Sequence, residues 1–96
     1  MKNQDDIFYS KEADAWYTRN ADALVPEARG MHSDLVEKLI RKHRLHPKRV
    51  LDVGAANGWR REAMRRARPA ATYVGIEPSA AAIAAGKKLF PKIELK

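Results

Sequence analysis

The chain has 96 residues, 19 Lys plus Arg against 12 Asp plus Glu, 45% hydrophobic residues and no cysteine. That composition describes one small globular domain and excludes a disulfide framework, zinc-cysteine clusters and thiol nucleophiles. No apolar stretch approaches the roughly 20 residues of a membrane-spanning helix, and the acidic opening Met1-Lys2-Asn3-Gln4-Asp5-Asp6 lacks the features of a signal peptide, so a cytoplasmic protein without a membrane partner is expected.

In chain order, residues 1–10 carry Ile7, Phe8 and Tyr9 without a sustained period and read as a tail that docks through its aromatics. From Lys11 to Leu24 the apolar residues Ala13, Trp16, Tyr17, Ala21 and Leu24 recur at three- and four-residue steps, which predicts an amphipathic helix stopped near Pro26. Gly30 is a break. Asp34 with Glu37 three residues later fits a capping box opening a second helix through Leu35, Val36, Leu39, Ile40 and Leu45, ended by Pro47. The pattern then changes. Arg49-Val50-Leu51-Asp52-Val53 is a short β-branched run between Pro47 and Gly54, and so a first strand. A helix from about Trp59 to Arg68 follows, with Ala63, Met64 and Ala67 inward and arginines outward. Thr72–Ile76 is a second strand. Pro78 and Ser79 start a helix over the alanine run at 80–85, with Ser79 as its cap and Gly86 as a loosening point before Leu89 and Phe90. The last strand is Lys92–Leu95.

Strand, helix, strand, helix, strand is the order of right-handed crossover units, so the fold class is α/β, with a parallel sheet of three strands and flanking helices, preceded by N-terminal helices. In such sheets ligands sit at the carboxyl edge. The loop Gly54-Ala55-Ala56-Asn57-Gly58 leads there from the first strand into a helix. Its glycines permit positive φ and close backbone approach, and free N–H groups at the helix start attract an anionic group. Glu77 follows the second strand directly, beside the same loop, where a carboxylate can accept both hydroxyls of a ribose. Ala56 and Trp59 break the register of the G-x-G-x-x-G dinucleotide fingerprint, and Gly58-Trp59 stands where a phosphate-cradling P-loop would need Gly-Lys. A nucleoside with a modest anionic tail suits this loop.

These residues resemble the class I S-adenosylmethionine-dependent methyltransferases. Val50-Leu51-Asp52-Val53-Gly54-Ala55-Ala56-Asn57-Gly58 is similar to their first motif and Gly75-Ile76-Glu77-Pro78-Ser79 to their second-strand acid motif, in order and at family spacing over residues 49–96. Asn57-Gly58-Trp59-Arg60, with Asp14-Ala15-Trp16-Tyr17-Thr18-Arg19-Asn20 upstream, is similar to a bacterial branch of polysaccharide and sugar-modification methyltransferases. The resemblance implies a Rossmann-like fold and S-adenosylmethionine as cofactor. Asp52 and the backbone of Gly54, Ala55, Ala56, Asn57 and Gly58 would hold its methionine portion, Glu77 its ribose, and Pro78 would flank the adenosine. Trp16, Tyr17 and Arg19 would close over it from the first helix, making residues 1–48 a cap and residues 49–96 the cofactor-binding half. Ala56 departs from the family's glycine pattern, and its methyl would crowd the cofactor.

Family members continue past the third strand with an acceptor-binding half, so the resemblance implies a truncated domain and a small-molecule or saccharide acceptor, and it leaves the catalytic residue unknown. His32, His43 and His46 have no metal-ligand spacing, and no metal is expected. The first strand, central in the family's sheet, would have an unpaired hydrophobic edge through which copies self-associate. The formal charge of +7 supports an alternative, a nucleic-acid or polyanion-binding module without catalysis. Its cations mostly fall on polar helix faces and ends without interleaved aromatics, which favours a solvated surface. A nicotinamide-nucleotide domain is a third reading.

Overall fold

The computed structural model describes residues 11–28 and 31–96, with the backbone alone at 31–34. The expected docking of the first ten residues and the Gly30 break lie outside the described residues. Three strands, β1 Arg49–Val53, β2 Thr72–Ile76 and β3 Glu94–Leu95, form one parallel sheet in the order β1-β2-β3. Leu51 faces Val74 across the first pair and Gly75 faces Leu95 across the second. Lys92 and Ile93, expected to open the third strand, stand in the turn and bend before it. Backbone bonds from Lys96 N–H to the Gly75 carbonyl at 2.9 Å and from Glu77 N–H to the Lys96 carbonyl at 3.0 Å carry the ladder one step further. The fold is the α/β, Rossmann-like arrangement expected.

Four helices accompany the sheet among the described residues: α1 Ala13–Asn20, α2 Met31–Lys42, α3 Trp59–Ala67 and α4 Ala80–Leu89. Two successive right-handed crossovers advancing in one direction put α3 and α4 on the same face. Alternation along the strands sends Val50, Asp52, Tyr73, Gly75 and Leu95 to that face. There Trp59, Met64, Tyr73, Phe90, Ile93 and Leu95 form the core, joined by Tyr17 and Leu24 from the N-terminal segment. The opposite face is uncovered among the described residues. Leu51 is 62% exposed, Val53 75% and Ile76 44%.

Ser79 caps α4 as expected, its Oγ accepting from the Ala82 N–H at 3.0 Å. Gly86 does not loosen that helix, which continues to Leu89. Its missing side chain is what the packing uses, since a Cβ there would collide with the Asn57 carbonyl and the Leu95 side chain.

Other expectations change. The first helix ends at Asn20 and gives way to a 3-10 turn over Ala21–Ala23, and Trp16 points outward at 46% exposure while Ala13 and Tyr17 are buried. Asp34 is the fourth residue of α2 and therefore no cap. Leu35, Val36, Leu39 and Leu45 are exposed, and Ile40 alone of that set packs against the core. On α3 the buried face is turned: Ala67 is exposed, and Glu62 is buried. Glu62 tolerates burial because Arg65 donates to it at 2.6 and 2.9 Å and Arg66 at 3.4 Å. The Arg65 hydrogen bond, foremost, holds its carboxyl below the usual carboxylate range. No helix among the described residues is long and apolar enough to cross a membrane.

Candidate functional site

The carboxyl ends of β1 and β2 meet at the loop 54–58. Gly54 at φ 75°, Ala56 at φ 52° and Gly58 at φ 88° all adopt left-handed conformations, so the chain turns from strand to helix in five residues. Of these three, Ala56 alone carries a Cβ, at a steric cost of about 1–2 kcal/mol. The loop is held on the sheet by Gly54 and Ala55, whose N–H groups both donate to the Ile76 carbonyl at 2.8 and 3.1 Å.

Glu77 joins the two strand ends chemically. Its Oε1 accepts from the Ala56 N–H and its Oε2 from the Ser79 N–H, each at 2.8 Å. One carboxylate thus ties the loop after β1 to the turn that starts α4. Each oxygen has a second lone pair, so the group retains capacity to accept hydroxyl donors while fixed by two amides. Gly54 is open on its outer side, and a Cβ placed there would meet nothing within 4 Å.

Asn57 is a structural latch, 1% exposed. Its Oδ1 accepts from the Trp59 N–H at 3.1 Å, capping the first turn of α3. Its Nδ2 donates to the Tyr17 hydroxyl at 3.2 Å and to the Leu24 carbonyl at 3.1 Å. The helix-start amide expected to be free at Trp59 is therefore used inside the protein. The same contacts bring Tyr17 against the loop. Trp16 faces outward, and Arg19 turns to Glu12, with its Nη2 2.8 Å from Oε1; neither joins the loop.

A second latch involves a residue that periodicity did not single out. Asp14 on α1 accepts from the Ser79 hydroxyl at 2.6 Å and from the Ala81 N–H at 3.1 Å. It stands at the N-terminus of α4, where the helix dipole favours an anion. The Ser79 hydroxyl, and after it the Ala81 amide, lower its pKa from the ordinary aspartate value. With Asp14 and Tyr17 one turn apart, α1 docks on both sequence motifs at once. Sequence separations of 40 and 65 residues carry no local signal for either bond.

Asp52 points to the helix-covered face, its Oδ2 3.2 Å from Nε of Arg61 on α3. Ala55 is buried beneath the loop and Pro78 is exposed beyond Glu77. The structure therefore brings Gly54, Ala56, Asn57, Glu77 and Tyr17 into one cluster, with Asp52 set beneath α3. The residues fit a nucleoside ligand at the open side of Gly54, where backbone and a carboxylate are presented; the Ala56 methyl, expected to crowd the cofactor, is instead buried in the core.

No protein-family model matches the chain, and no curated protein does. Among solved structures it is similar to the plantazolicin methyltransferase BpumL in complex with SAH, with a TM-score of 0.57 and 22% identity over 99% of this chain and 35% of that one. The complex of BpumL with a monoazolic desmethylPZN analog and SAH gives the same TM-score and identity over 97% of this chain and 34% of that one. At this identity the likeness is one of fold. The chain spans about a third of the length of the chains it matches.

Proposed function

We propose that this chain is the S-adenosylmethionine-binding portion of a Rossmann-like methyltransferase, with residues 49–96 forming the cofactor site and α1 its cap. The observation that carries the reading is the Glu77 carboxylate fixed between the Ala56 and Ser79 amides, which sets an acid for ribose hydroxyls beside a glycine-bearing loop. When bound, S-adenosylmethionine supplies a methyl group on a sulfonium. This chain's residues bind and orient: Glu77 accepts from the ribose, Gly54 to Gly58 offer backbone to the methionine portion, Pro78 flanks the adenosine, and Tyr17 holds α1 over the loop through Asn57. Asp52, neutralised by Arg61, acts from below by fixing α3 to β1. Trp16 and Arg19 stay at the outer surface of the cap.

The solved BpumL structure is a complex with a desmethylPZN analog and SAH, which supports a small-molecule or saccharide acceptor; the chain spans about a third of that enzyme's length, and we place the acceptor's contacts outside residues 1–96. Activity of the chain by itself is accordingly not expected. Its setting is the cytoplasm, and its further partner is a second copy meeting it at the open side of β1.

Calorimetry with S-adenosylhomocysteine tests the reading. Saturable binding is expected, weakened roughly 10- to 150-fold in Glu77→Ala, the equivalent of one charge-assisted hydrogen-bond set worth ~1.5–3 kcal/mol. Glu77→Gln, which keeps one acceptor oxygen for the loop, separates loop collapse from ribose loss. No binding by a chain that melts cooperatively overturns the proposal, as does equal competition by a nicotinamide dinucleotide.

A further inference from the structure

A second concave site among the described residues lies away from the loop. It is a half-open cleft of about 430 Å³ between α2 and α3, within the size range of small-molecule pockets. None of Gly54, Ala56, Glu77 or Pro78 lines it. Its wall is apolar along Val36, Trp59, Ala63 and Met64.

Its rim is basic. Lys38, Arg41, Arg60 and Arg61 all border the cleft, with Glu37 the sole carboxylate among the residues lining it. Glu37 is already committed, taking two bonds from Arg68 at 2.8 and 2.7 Å. Arg61 stands beside Asp52, and its buried Nε has no hydrogen-bond acceptor in good geometry. Arg60 lies over the Trp59 ring, its Cζ 4.9 Å from the centroid, which holds a guanidinium at the cleft without neutralising it. Among the described residues Lys38, Arg41 and Arg60 have no carboxylate partner.

We infer that this cleft is a binding site for a small amphipathic anion, a flat apolar body bearing one carboxylate or similar group, distinct from the nucleoside site at the sheet edge. The apolar body lies along Val36, Ala63 and Met64 beside Trp59. The anionic group meets Lys38 and Arg41 on α2 and Arg60 on α3. Such a ligand supplies apolar contact between the two helices and a counter-charge for three cations that have no carboxylate partner among the described residues.

The probe is 2-naphthoate, with naphthalene-2-methanol as its uncharged counterpart, followed by calorimetry and by amide resonances of the intact chain. Saturable naphthoate binding is expected, with shifts at Lys38, Arg41 and residues 60–67, affinity at least about tenfold above the alcohol, and weakening as salt rises. Arg41→Gln and Lys38→Gln should each lower naphthoate affinity about three- to tenfold while S-adenosylhomocysteine binding is unchanged. The inference is overturned by absence of saturable binding to the folded chain. It is overturned equally by the same affinity for acid and alcohol, by shifts centred on residues 54–58, or by variants that melt as the parent does and bind naphthoate undiminished.

Discussion

Ala56 is the residue at which the loop is strained, because a methyl-bearing residue sits at φ 52° where glycine is the unstrained choice. Ala56→Gly removes a left-handed penalty of about 1–2 kcal/mol and adds back about 0.4–1 kcal/mol of unfolded-chain entropy. Losing the buried methyl costs about 0.8 kcal/mol more, so the variant should be about equal to the parent in stability by urea denaturation. Its affinity for S-adenosylhomocysteine should change little, since the Ala56 methyl is buried in the core and not presented to the ligand. A clear fall in stability would show that the packing of the Ala56 methyl outweighs the strain of its backbone. Gly86 is the reverse case. Alanine is the better helix former by about 1 kcal/mol, yet a Cβ at 86 runs into the Asn57 backbone and Leu95. Overpacking of that kind costs about 1–3 kcal/mol. Gly86→Ala should lower the melting temperature by several degrees in a domain of this size, and an unchanged or raised midpoint would mean that α4 does not pack closely on the loop.

At the scale of elements, α1 is pinned by side chains rather than by a broad apolar face. Asp14 bonds to Ser79 and Ala81, and Tyr17 bonds to Asn57. Folding depresses the Asp14 pKa, so its contribution to stability is complete above the unfolded aspartate value of about 4 and is lost as pH falls through the lower folded value. Glu62, depressed chiefly by its hydrogen bond from Arg65, acts in the same direction. Asp14→Asn should consequently melt below the parent at pH 7, with the gap closing once the parent carboxylate is protonated at lower pH; a gap independent of pH would assign the effect to shape instead of charge. These long-range latches also mark the boundary of what could be read in the sequence. The three strands, the cap at Ser79 and the pairing of the loop with Glu77 are legible because each depends on residues within one crossover unit. The outward turn of Trp16 and the exposed Leu35 and Leu39 are not. Helical periodicity identifies an apolar stripe, but it does not say whether anything in the chain covers that stripe. Asn57 was legible as a loop residue and not as a latch, because its partners come from 33 and 40 residues away.

At the scale of the whole molecule, the described residues cover the sheet on one side. Leu51, Val53 and Ile76 share the bare face, and β1 has its outer edge free of any strand among the described residues. An open edge and an apolar face together favour association of copies. The net charge of +7 opposes it, because two like-charged copies repel until salt screens them; the Debye length falls from about 30 Å at 0.01 M to about 10 Å at 0.1 M. The two forces give the molecule a salt dependence opposite in sign to that of polyanion binding, where cations lose affinity as salt rises. Sedimentation equilibrium at low and moderate salt should find more association at moderate salt. The pair Leu51→Thr and Val53→Thr, which keeps strand-compatible side chains at solvent-facing positions, should return the chain to monomer while changing stability by no more than about 1 kcal/mol. Binding of short nucleic acid that weakens steeply over the same salt range, with no association of the chain itself, would instead favour the basic surface as the working part of the molecule and count against the bare face as a contact between copies.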